Sequence, residues 1–104
     1  MSKTTAQTLV QELQDLIYDC LTNERKRAFM TFLDMQRRHP VDVIRSIKQL
    51  ADVVTSAGSK ELKERIDVIE GKLMVAQTMG NLTTEQTDKA LAILDQIRDE
   101  LKVG

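Results

Sequence analysis

Residues 59–80 read SKELKERIDVIEGKLMVAQTMG. Leu62, Ile66, Ile69, Leu73 and Ala76 recur there at intervals of three and four. Side chains so spaced stack on one face of an α-helix, which turns once every 3.6 residues or so (about 100° per residue). A second apolar row, Val68, Val75 and Met79, falls about 120° around the same helix, and Met74 lies elsewhere again. A helix with two apolar faces touches two things. Both neighbours can belong to one core, or the second row can meet another subunit. The expectation is self-association through Val68, Val75 and Met79. Ser59 reads as the N-cap, Glu61 favours the first turn, and Gly80 ends the helix. Gly71 lies inside it, at a cost of roughly 1 kcal/mol relative to Ala, and an interior glycine can mark the close approach of another backbone.

The same periodicity extends in both directions. Thr83 and Gln86 have the spacing of a capping box, followed by Ala90, Leu91, Ile93, Leu94, Ile97 and Leu101. On the other side, Pro40 suits the first position of a helix carrying Val43, Ile44, Ile47, Leu50, Ala51, Val54 and Ala57, with Gly58 as its left-handed cap. The chain begins with a helix over about Thr5–Leu21, striped by Ala6, Leu9, Val10, Leu13, Leu16, Ile17, Cys20 and Leu21. Thr22-Asn23 are good N-cap types for a further helix reaching about Arg38, with Ala28, Phe29, Phe32, Leu33 and Met35 on its apolar face. No segment alternates with period two. Linkers are short, so consecutive helices return on one another. The expected fold is all-α: a compact bundle of about five short helices forming a single domain over residues 1–104.

Composition supports this reading. With 104 residues, 41% hydrophobic and 30% charged, the chain fits one lean globular domain. One Pro and four Gly argue against a turn-rich β-sandwich. A single cysteine, Cys20, cannot form an intramolecular disulfide, and a single histidine, His39, cannot build a multi-histidine metal site. The N-terminus MSKTTAQTLVQEL carries no apolar block of the secretory kind, and no run is long enough for a bilayer. The expected location is cytoplasmic, with no membrane partner, and the Asn81-Leu82-Thr83 glycosylation match reads as chance.

The net charge of −1 averages unlike regions: residues 1–23 carry −2, residues 24–48 carry +4, and residues 49–104 carry −3. Such asymmetry suits an anionic partner or a self-complementary assembly. Lys26, Arg27, Arg37 and Arg38 lie opposite the expected Ala28/Phe32/Met35 face, and Met30 falls among the bases. Met is a pliable apolar contact on adaptable surfaces. Lys26, Arg27, Met30, Arg37 and Arg38 are therefore the candidate partner-binding patch, against the plainer reading of a solvated basic face.

Little in the chain resembles catalytic equipment. Cys20 lies on an apolar stripe, where a thiol is buried and inert. His39 lacks a distinctive partner for base catalysis. HExxH, CxxC, GxGxxG and phosphate-loop patterns are absent, and no acidic EF-hand loop occurs. No cofactor and no metal are expected.

Two readings of function follow. The first is a non-enzymatic protein–protein interaction module, a small adaptor, antagonist or assembly factor, that forms a homo-oligomer. The alternative is a nucleic-acid-binding regulator using Arg25, Lys26, Arg27, Arg37, Arg38, Arg45 and Lys48. It is the weaker of the two. A helix-turn-helix drawn across His39-Pro40 would put Val41, Asp42, Val43 and Ile44 where base-reading polar side chains belong.

Overall fold

The computed structural model describes residues 5–28 and 39–102, with side-chain surroundings for 5–20 and 42–102. Four helices fill this span: α1 (Thr5–Ala28), α2 (His39–Val53), α3 (Ser59–Thr78) and α4 (Thr84–Leu101). They form an all-α bundle. Each helix packs against two others, in the ring α1–α2–α3–α4–α1. Gln7, Val10 and Gln14 at the start of α1 share a groove with Ala51 and Val54 at the end of α2. Leu16 and Cys20, further along α1, meet Thr83 and Lys89 at the start of α4. α1 therefore runs antiparallel to both of its neighbours.

The core follows the expected stripes. Leu13, Ile17, Ile47, Leu50, Ile66, Ile69, Leu73, Leu94 and Ile97 are sealed from solvent, one layer contributed by each helix. Burying a side chain of this size stabilises a fold by about 1.5–3 kcal/mol. Leu16, Ala57, Leu91, Ile93 and Leu101 pack at the margin, whereas Ala51 is exposed.

Three boundaries differ from expectation. The break at Thr22-Asn23 does not occur, because α1 continues through both to Ala28. Glu24, Arg25, Lys26, Arg27 and Ala28 are strong helix formers, and extending an existing helix costs far less than nucleating a new one. The remainder of the expected second helix, residues 29–38, lies outside the described residues. At the start of α3 the N-cap is Gly58, extended at φ −72° and ψ 164°, with no side-chain cap, and Ser59 is already helical. Gly58 is thus not the left-handed cap of α2. That helix ends at Val53, whose carbonyl accepts from the Ser56 and Ala57 amides at 3.1 and 2.9 Å.

The connection between α3 and α4 is closed at both ends. Gly80 takes φ +80°, and the Gly80 and Asn81 amides donate to the Gln77 and Ala76 carbonyls at 3.0 and 2.9 Å. This paired closure is a Schellman motif, which favours glycine at the left-handed position. Three residues later Thr83 caps α4. Its hydroxyl accepts from the Gln86 amide at 3.1 Å, and the Gln86 side chain accepts from the Thr83 amide at 2.9 Å.

Candidate functional site

The α3 surface is the least conventional in the bundle. Its core stripe points inward as expected, yet Val68, Val75 and Met79 are 51%, 45% and 63% exposed. Met74 is exposed on another flank. Of the five exposed large hydrophobics among the described residues, three lie on this helix, Met79 is its C-cap, and Tyr18 of α1 is the fifth. The Val68/Val75/Met79 row is not a second core face. Gly71 falls between the two valines, has an ordinary helical backbone, and is exposed. A Cβ there would meet nothing within 4 Å. No neighbour among the described residues requires a glycine at that position.

Val68 also forms the lip of a groove between α2 and α3. The groove holds about 300 Å³ and is lined by Ser46, Gln49, Glu61, Glu64, Arg65 and Val68. Arg65 donates twice to Glu61, through Nε at 3.3 Å and Nη2 at 3.1 Å. Glu64 takes part in no ion pair among the described residues. Ser46 lines the groove from α2 and is only 7% exposed. Sequence reasoning missed it, because a serine between Arg45 and Ile47 reads as ordinary surface.

A polar cluster on the other side ties α3 to α4. Arg98, whose side chain is 17% exposed, bridges Asp67 at 3.1 Å, Glu70 at 2.8 Å and Asp95 at 3.0 Å. Burial works against the guanidinium charge, but hydrogen bonds to Glu70 and Asp67 outweigh it and raise the Arg98 pKa. The hydrogen bond from Arg98 in turn holds the Asp67 carboxyl below the usual aspartate range.

Cys20 gains no catalytic partner among the described residues. Cys20 is buried, and its burial, followed by the charge of Asp19, pushes the thiol pKa up, which leaves it a poor nucleophile. It lies beside an open recess lined by Leu16, Asp19, Thr83, Glu85, Gln86 and Lys89, with no imidazole among them. Among the described residues no group of three or more His, Cys, Asp and Glu is placed to hold a metal ion. The side chain of His39 lies outside the described residues. Asn81 is buried, so its side chain is a poor glycan acceptor.

The basic patch is only partly placed. Lys26 and Arg27 fall in the last turn of α1 rather than on a helix of their own. Their side chains, and Met30, Arg37 and Arg38 entirely, lie outside the described residues. Of the remaining bases, Arg45 pairs with Asp42 on its own helix at 3.4 Å. No helix among the described residues is long and apolar enough to cross a membrane. No protein-family model, curated protein or solved structure matches the chain.

Proposed function

We propose that this protein is a non-enzymatic interaction module, an adaptor or assembly factor, that self-associates through the exposed face of α3. The observation that carries the reading is the aligned, exposed row of Val68, Val75 and Met79 with Gly71 open between the valines. Contiguous apolar surface on a small protein marks a contact. A glycine without a monomeric role lets a second helix come close, since interaxial distance is set by the side chains at the crossing. The spacing is self-complementary too. About a two-fold axis near Gly71, Val68 of one copy meets Val75 of the other, the arrangement an isologous dimer requires.

Stable interfaces bury about 800 Å² per partner. Three side chains supply a fraction of that, so the rim of α2 must take part and affinity should be modest, with Kd on the order of 10 µM. Sedimentation equilibrium tests this. The wild type should move from monomer to dimer as concentration rises, whereas a Val68→Glu/Val75→Glu variant should remain monomeric with its helicity intact. A wild type that stays monomeric at high micromolar concentration refutes self-association. Should the glutamates unfold α3, a Val68→Ser/Val75→Ser variant reads the same loss of association.

A further inference from the structure

Of the three buried polar residues, Thr87 donates to the Thr83 carbonyl at 2.9 Å and Asn81 is also partnered. The Ser46 hydroxyl alone has no hydrogen-bond partner among the described residues. Native interiors satisfy nearly all buried polar groups, and the described residues offer the Ser46 hydroxyl no such partner. Ser46 faces the α2–α3 groove, and the charge of that groove is lopsided. Arg65 and Glu61 neutralise each other, which leaves Glu64 as the one lining charge unpaired among the described residues. The Gln49 amide supplies a further hydrogen-bonding group, and Val68 forms an apolar wall.

We infer that the α2–α3 groove is a binding site for a cationic side chain, lysine or arginine, of a partner segment. An ammonium or guanidinium group donates to the Ser46 oxygen and to the Glu64 carboxylate, while its aliphatic stem lies along Val68. Such side chains bury apolar stems and keep the charged head on polar groups. A guanidinium has donors enough to reach both acceptors at once. An anion is disfavoured by Glu64, and a wholly apolar group would leave Ser46 unsatisfied. The assignment does not depend on self-association, although Val68 borders both surfaces.

The test uses the full chain, kept dilute enough to be monomeric, and follows backbone amide shifts by NMR. The probe is N-acetyl-arginine methylamide. Its neutral isostere, N-acetyl-citrulline methylamide, is the control. Shifts should concentrate at Ser46, Gln49, Glu64 and Val68 and saturate in the millimolar range. Citrulline should bind at least about tenfold more weakly, the usual difference between charge-assisted and neutral hydrogen bonds. Ser46→Ala and Glu64→Gln should each weaken the arginine probe by about fivefold or more. Ser46→Ala should also raise the melting temperature of the unliganded chain, because it removes a buried unsatisfied hydroxyl. Equal binding of citrulline, or shifts scattered over other carboxylates, overturns the cation site. A wild type that never dimerises yet shows these shifts would count against the self-association reading alone.

Discussion

At Gly71 a single methyl group separates two effects of opposite sign. The space around its Cβ is open and its backbone is helical, so Gly71→Ala should stabilise the dilute monomer by about 1 kcal/mol. The same methyl stands where a second α3 would pass closest, and there it should weaken the dimer. Urea unfolding at low concentration reads the first effect and sedimentation the second; unchanged association would mean that no helix crosses at Gly71. Thr83 offers a simpler case. Thr83→Ala removes the acceptor for the Gln86 amide and should cost about 1 kcal/mol, seen as a lower urea midpoint at constant slope. This capping box could be read from two residues because its chemistry is entirely local. Gly58 and Ser59 misled because the geometry of a cap depends on where the preceding helix stops, and α2 stops five residues before Gly58. Ser46 lies three residues after Val43 and four before Leu50, so helical spacing puts it at the edge of the buried stripe, but its hydroxyl reads as surface.

Among the elements, the α3–α4 pair carries the clearest pH dependence. The Asp67 carboxyl titrates below its unfolded value because Arg98 donates to it. Its contribution is therefore complete above the unfolded pKa, near pH 4, and fades as pH falls through the folded value. Urea midpoints followed from neutral pH into acid should show this loss. Arg98→Met should lower stability at neutral pH by about 1 kcal/mol and flatten the acid limb. An acid limb of undiminished slope in that variant would show that Arg98 is not its source. The reach of α1 carries a different lesson. Thr22-Asn23 have the chemistry of a helix start, but cap residues inside a run of good helix formers can be overridden by the helix already in progress. The inward stripe of α3 is core, as its spacing predicts, and the outward row is exposed. Only the structure could decide between a second core face and free surface, because both have the same spacing.

For the whole molecule, an all-α bundle was legible from periodicity, but the ring in which each helix touches two neighbours was not. Side-chain spacing names the buried face of a helix and leaves its neighbour unspecified. If the α3 face joins two copies, the melting temperature must rise with protein concentration, because association stabilises only the folded state. The Val68→Glu/Val75→Glu variant should melt at a temperature independent of concentration, which calorimetry at two dilutions would check. Finally, the doubly closed connection between α3 and α4 bears on how the chain reaches this state. The Gly80 reversal and the Thr83 cap organise the turn with contacts a few residues apart, and Arg98 then clasps the two helices. Such local contacts close small loops and form early in folding. The α3–α4 hairpin should therefore be the folding nucleus, with Thr83→Ala slowing refolding more than it speeds unfolding. The helix that presents the exposed row would then be among the first elements built, with its apolar surface open before α1 has docked.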